Sequence, residues 1–408
     1  MNNHDKDILR RLADKQAGYA AGDENQNKIN RWYRHNAMKN EPMVLAELFG
    51  IFDEIGFDKM LECEDPEARE IERTLIINIY QHEYIRDDSV IDPFYKIKWD
   101  ISDDGYGVPI GVHRSEDSDG REWGMEIDPP LKDIEKDIRK LRHRNFVVNR
   151  EKTLAYKAKL ESVFGDILPV RIYGDYWWTL GMTHHAIYFT GLEQFMMYMY
   201  DQPETLHELM QFIYDDRLGM AKWMESEGLL CMNNANNYIG SGSRGFTDEL
   251  ARSGEKVRTT DMWALLESQP TGYVSPSMFR EFAFDYQLKM ARNFGLIYYG
   301  CCEPLHDRMD MIMQLPNLKS VSVSPFSDEE IMSEYIRGRY IYSRKPDPAM
   351  LSMEQFNEND VRASAEKTIR CAGDCELEFI MKDLHTVRYE PERLKRWVEI
   401  TRDSIESS

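Results

Sequence analysis

The sequence predicts an α/β protein built as a single (β/α)8 TIM barrel, and three observations lead there. From about residue 165 onward, short apolar runs alternate with amphipathic helical stretches, the rhythm of parallel strands joined by helical crossovers. Nine stretches read as strands, close to the eight of a barrel. No linker rich in Gly, Pro or Ser divides the chain, and no internal repeat or low-complexity tract is visible, so residues 1–408 read as one domain. A doubly wound open sheet shares the alternation and stands as the alternative.

Taken in order, residues 1–41 are a helical extension, and the first strands are expected at Met43–Ala46 and Phe94–Trp99. Residues 100–165 are an insertion with helices. Ile167–Tyr173 is rich in branched and aromatic residues and reads as a strand. A helix opens at Pro203-Glu204, carries Leu206, Leu209, Met210, Ile213 and Trp223 at helical spacing, and stops near Gly228. Leu229–Met232 follows as a strand and Met262–Leu266 as a weaker one. Ser275-Pro276 is a cap with a first-turn proline, opening a helix that runs to Gly295. Strand Leu296–Tyr299 enters Gly300-Cys301-Cys302-Glu303-Pro304, and a helix bearing Leu305, Met309, Ile312 and Leu315 ends at Pro316. Strands at Ser320–Val323, Tyr340–Tyr342 and Leu377–Met381 complete the set, with a helix over Ala363–Arg370 between the last two.

Composition bounds the function. With 51 Lys+Arg against 72 Asp+Glu the net charge is −21, which disfavours nucleic acid and anionic membrane as partners. Hydrophobic residues at 42% and aromatic ones at 12% suffice for a large core and exclude disorder. No apolar run approaches the ~20 residues of a membrane span, and the N-terminal residues carry no apolar signal core, so a cytoplasmic location is expected. In such a chain the six cysteines read as thiols, and most of the 23 methionines as adaptable core filler.

In a barrel, chemistry sits just past the carboxyl ends of the strands. The residues there are polar: Glu47; Asp100; Asp175 with Tyr176 and Trp177; Asn233 with Asn236; Glu267 with Gln269; Cys301, Cys302 and Glu303; Ser324; Lys345 and Asp347; Lys382, Asp383 and His385. The sharpest feature is Tyr299-Gly-Cys-Cys-Glu-Pro304. Two thiols and a carboxylate between a strand and a helix favour thiolate, and with it metal ligation or nucleophilic chemistry. Cys301, Cys302 and His385, neighbours across a closed barrel, are the candidate metal ligands, and zinc takes such donors. The plainer reading makes Cys301 and Cys302 small buried residues where barrel and helix meet. Cys371 and Cys375 read as structural filler. Of His184 and His185, one is expected to face the mouth and the other to pack on a helix. Gly240-Ser-Gly-Ser-Arg-Gly245 matches G-x-G-x-x-G, but it follows an Asn-rich stretch and reads as an active-site loop in which Arg244 clamps a carboxylate or phosphate.

Several segments resemble the uroporphyrinogen decarboxylase superfamily, which includes the decarboxylase and zinc-dependent cobalamin-linked methyltransferases. They are Gly191-Leu-Glu-Gln-Phe through Asp201-Gln-Pro-Glu204, Val274–Phe282, the strand entering Cys301, and Glu378-Phe-Ile through Pro391-Glu-Arg-Leu394. The resemblance runs from about residue 165 to the end and implies the same (β/α)8 barrel. The decarboxylases carry an N-terminal Arg-Gln-Ala-Gly-Arg motif; here Met43-Val-Leu-Ala-Glu47 has neither arginine, so the chain is not a typical uroporphyrinogen decarboxylase. Lys98-Trp-Asp-Ile101 nevertheless resembles the stretch carrying their catalytic aspartate, and His385 sits where they have Gly-His-Gly. The methyltransferases hold zinc through His-x-Cys and a last-strand Cys. Here the first reads Tyr299-Gly300-Cys301 and the second falls at or near His385.

The resemblance therefore implies a zinc-dependent, corrinoid-linked methyltransferase, with a small-molecule substrate and a corrinoid as co-substrate or on a partner protein; a homodimer is also admitted. Asp100, Glu303 and His385 are the expected catalytic groups, and Tyr176, Trp177, Asn233, Arg244, Glu267 and Tyr299 the expected substrate contacts. Two other readings remain: a metal-free decarboxylase using Asp100 with His385, and a ligand-binding barrel without chemistry.

Overall fold

The computed structural model describes residues 1–116, 122–173 and 177–408. Eight of the nine expected strands form: Met43–Ala46 (β1), Tyr95–Ile97 (β2), Val170–Ile172 (β3), Trp263–Leu266 (β4), Leu296–Tyr299 (β5), Leu318–Val323 (β6), Ile341–Arg344 (β7) and Glu376–Met381 (β8). All pair in parallel. Six make one sheet in the order β1-β8-β7-β6-β5-β4, and β2 pairs with β3. The 100–165 insertion holds two antiparallel strand pairs and the helix Arg150–Phe164.

Leu229–Met232 is not a strand, contrary to its apolar composition. Gly228 turns left-handed at the end of helix Pro203–Glu227, and Leu229 N–H caps that helix through Met224 O. The outer edge of β4 is satisfied otherwise. The Asn233 side-chain amide donates to Trp263 O at 3.0 Å and accepts from Trp263 N–H at 2.8 Å, and Leu180 N–H donates to Leu265 O. One amide thus copies the hydrogen bonding of a strand.

Strand residues alternate between two faces, as the pleat requires. Val44, Ala264, Ile297, Val321 and Phe379 join the large cluster under the outer helices. Met43, Leu45, Trp263, Leu265, Tyr298 and Ile380 belong to the opposite side. That side is filled by two pieces of chain. The N-terminal extension is two helices, Asn3–Ala21 (α1) and Asp23–Asn36 (α2), and Trp32 of α2 packs with Met43, Leu45 and Ile380. The second piece is a hairpin, Tyr238–Gly240 paired with Ser243–Arg244. Its two turn residues, Ser241 and Gly242, have φ of 46° and 96°. A Cβ on Gly242 would lie 2.4 Å from Ile380 Cγ2, so only glycine lets the turn press into the sheet. The G-x-G-x-x-G string is therefore a hairpin, without the strand-to-helix turn of a dinucleotide site. Meanwhile α1 covers β2 and β3 through Ile8, Leu9 and Ala13. No helix among the described residues is long and apolar enough to cross a membrane.

The β1 edge is held by carboxylates. Asp87 accepts from Ala46 N–H at 2.9 Å, and Asp88 from Val44 N–H at 2.7 Å. Asp88 also binds Arg31 of α2 at 2.7 Å and Arg402 of the last helix, Glu392–Glu406 (α3), at 2.8 Å. It is 1% exposed and ties both chain ends to the sheet. Asp88→Asn is expected to lower stability by about 2–4 kcal/mol, since two arginines lose their counter-charge. The check is a lower urea midpoint at unchanged m-value.

Candidate active site

Past the sheet's carboxyl end lies a cavity of about 1090 Å³, walled on one side by strand ends and on the other by residues 74–96. Glu47, Cys301, Cys302, Lys345, Lys382, Asp383 and His385 all line it. Strand parity explains several of them. Glu47, Lys345 and Lys382 continue the inward-facing positions Leu45, Ser343 and Ile380 by two residues.

The thiols are placed by a glycine turn. Gly300 has φ of 96°, and a Cβ there would lie 2.7 Å from Leu305 Cδ1. Glu303, fully enclosed, binds two turns together by accepting from Cys301 N–H at 3.0 Å and Ser268 N–H at 2.8 Å. Ser322 Oγ donates to Cys301 O at 2.7 Å. Cys301 Sγ then lies 3.5 Å from Cys302 Sγ, and Cys302 Sγ donates to Asp383 Oδ2 at 3.0 Å. Lys382 Nζ approaches Cys301 Sγ at 3.5 Å and Ser241 Oγ, on the hairpin turn, at 3.4 Å.

The electrostatics sort the pair. The contact with Cys302, helped by the charge of Lys382, draws the Cys301 pKa below the ordinary thiol value despite burial. The same contact and burial push Cys302 up, so Cys301 is the more acidic of the two thiols. Burial opposes the Lys382 charge, but Cys301 and Tyr238 outweigh it and raise its pKa, keeping it an ammonium. Lys345 differs: burial brings it down to about 7, against the pull of Glu378. Glu47 is raised by burial, against Lys382 and Arg244.

Below this layer is a buried polar network. Lys345 Nζ donates to Ser343 and Tyr298, and Tyr298 OH donates to Ser343 Oγ at 2.8 Å. Ser343 and Ser243 both donate to Glu378. From α2, His35 Nε2 lies 3.4 Å from Glu378 and Nδ1 3.2 Å from Glu376.

The expected site residues divide. Cys301, Cys302, His385 and Arg244 line the cavity. Glu303 stands behind Cys301 as a brace. Burial and neighbouring Glu267 raise its pKa. Tyr299 has the outward parity: its OH donates to Gln287 at 2.8 Å, while Tyr298 takes the inward place. Asn233 is the edge mimic of β4. Glu267 accepts from Thr179 at 3.0 Å and lies 3.4 Å from His184, outside the lining. Trp177 packs on Phe294, and it is Trp178 that reaches the cavity. Asp100 pairs with Lys152 at 2.7 Å, also outside the lining, because its strand run ends at Ile97. Tyr176, with Asp175, lies outside the described residues. Lys345, Lys382 and Asp383 stood among the polar strand ends without an assigned role. Counting in twos from Ile380 and Ser343 would have singled out the two lysines.

Zinc requires several N, S or O donors on one point. Among the described residues no three His, Cys, Asp or Glu side chains converge in that way. Cys301, Cys302 and Asp383 form a chain, and the cation beside Cys301 is the Lys382 ammonium.

His35 supplies a pH test. Burial favours the neutral ring, but Glu376 and Glu378 outweigh it and raise its pKa to about 9. A raised value means stabilisation fully present below the unfolded pKa near 6.5 and lost as pH climbs through about 9. Unfolding free energy is expected to fall by roughly 3 kcal/mol across that window, and His35→Gln to abolish this pH-dependent part, measured by urea titration at each pH.

No protein-family model matches this chain, and no curated protein matches it. Among solved structures it is similar to a methyltransferase from Methanosarcina mazei, at 12% identity and a TM-score of 0.52. The match covers 92% of this chain and 98% of that one. The chain therefore shares the fold of that methyltransferase over most of its length.

Proposed function

We propose that the protein is a methyltransferase. It moves a methyl group between a small molecule held in the cavity and a corrinoid carried by a partner protein, and Lys382 supplies the positive charge at the reacting centre. The six-stranded sheet and the β2–β3 pair are taken as two arcs of one (β/α)8 barrel. One observation carries the reading: Cys301 Sγ and Lys382 Nζ, 3.5 Å apart, face a cavity at the strand ends of a fold shared with a methyltransferase.

Methyl transfer needs help at the heteroatom that gives the methyl group up. As the acceptor takes the methyl carbon, that heteroatom keeps the bonding electron pair and becomes anionic. A fixed ammonium can meet this charge by donating a hydrogen bond and then a proton. Cys301 keeps Lys382 charged in a place where burial alone would neutralise it. Solvent entering the cavity returns the proton to the amine once the product has left. This is the task a zinc Lewis acid performs in the enzymes the chain resembles, and in this reading the Lys382 ammonium performs it. The decarboxylase reading put its proton on Asp100, which is paired with Lys152 outside the lining, and no observation favours it.

Lys382→Met is expected to lower kcat for methyl transfer to a free corrinoid by about a hundredfold or more, and Cys301→Ser to lower it in the same sense. Chelators should leave the rate unchanged, and metal analysis should find no stoichiometric zinc. One zinc per chain that disappears in Cys301→Ser would overturn the assignment to Lys382. Full activity in Lys382→Met would overturn the role of the pair.

A further inference from the structure

Among the described residues, the cavity wall holds one cation that the chain itself does not use. Lys96 is paired with Asp92 at 2.8 Å, Lys382 with Cys301 and Asp383, and Lys345 gives its hydrogens to Ser343 and Tyr298. Arg244 lines the same space, and its Nε is buried with no hydrogen-bond partner. Among the described residues no carboxylate lies within ion-pair distance of its guanidinium. A buried donor left in this state costs stability unless a ligand completes it.

The position of Arg244 is deliberate in physical terms. Hairpin register sets Arg244 opposite Tyr238, and cross-strand partners project to the same side, so a planar fork and an aromatic ring stand side by side in the wall. The Gly242 turn that carries them fits only because glycine clears Ile380 and Glu47. Glu47 feels the charges of Lys382 and Arg244, but burial outweighs them and raises its pKa. Part of the remaining wall is aromatic. Phe49, Phe94, Trp178 and Phe326 line it, and Phe49, Trp178 and Phe326 are exposed at its rim although large and apolar. Such a rim is costly in water and suits a ligand with a planar body.

We infer that the cavity takes a small monoanion with a flat aromatic body, its carboxylate gripped by Arg244 and its ring held among the wall aromatics. A guanidinium fork binds a carboxylate through two parallel hydrogen bonds, which a neutral amide cannot reproduce. The inference shares with the methyl-transfer reading only the premise that this cavity is the substrate site. It is tested by binding without turnover, so the two stand or fall separately.

The experiment is calorimetric titration of the full-length protein with 2-naphthoate, its neutral isostere 2-naphthamide and the flexible acid octanoate. The expected order places 2-naphthoate about tenfold or more tighter than either of the others. Arg244→Met should erase the preference for acid over amide, and Arg244→Lys should keep part of it, with circular dichroism and melting temperature confirming that both variants fold. Equal binding of acid and amide by the native protein, an acid preference that survives Arg244→Met, octanoate binding as tightly as 2-naphthoate, or no binding of any probe would each overturn the inference. Should either variant fail to fold, the native comparison of acid, amide and octanoate decides alone.

Discussion

A carboxylate removed from water must be supplied with hydrogen bonds by the protein, and Glu378 on β8 is where distant parts of this chain meet to do so. Ser343 comes from the neighbouring strand, Ser243 from the hairpin and His35 from the N-terminal helices. Burial alone would neutralise Glu378, but His35 and Lys345 hold its pKa below the ordinary value. Losing one partner leaves the others facing an uncompensated charge, which is why such networks specify a single arrangement. Helix α2, the hairpin and the sheet are thereby locked in register, and the cavity floor is built on top of them.

The chemistry sits one layer above. Lys345 connects the two levels: its hydrogens go down to Ser343 and Tyr298 while it also lines the cavity. Lys382 repeats the pattern on the next strand, touching Ser241 of the hairpin and Cys301 of β5's exit. The rigid network thus orients two amines whose environments push them apart, one down to about 7 and one up. That divergence follows from how close each comes to Cys301: Lys382 Nζ lies 3.5 Å from its sulfur, whereas at Lys345 burial outweighs every charge that faces it.

Much of the fold was legible because its signals are local. Branched and aromatic runs marked eight strands, and Pro and Gly marked the ends of helix Pro203–Glu227. Leu229–Met232 misled because apolar composition does not distinguish a strand from a helix exit that happens to be buried. The site was legible in part. The thiol pair and Arg244 do reach the cavity, whereas Tyr299 was chosen over Tyr298 because two adjacent tyrosines look alike until the pleat separates them. Asn233 looked like a ligand residue, and in fact its amide serves as backbone.

What the sequence determined by itself was the alternation of elements, the polar character of the strand ends and the adjacency of Cys301 with Cys302. Each depends on spacing within a few residues, so no long-range contact is needed to see it. Only the tertiary structure decided that Lys382 becomes the partner of Cys301, that Asp100 is left out, and that Arg244 faces the cavity with no ion-pair partner among the described residues. Those outcomes hang on where segments 80 to 340 residues apart are brought together, and charge depends on that proximity: the same lysine is an ammonium or a neutral amine according to what folding sets beside it.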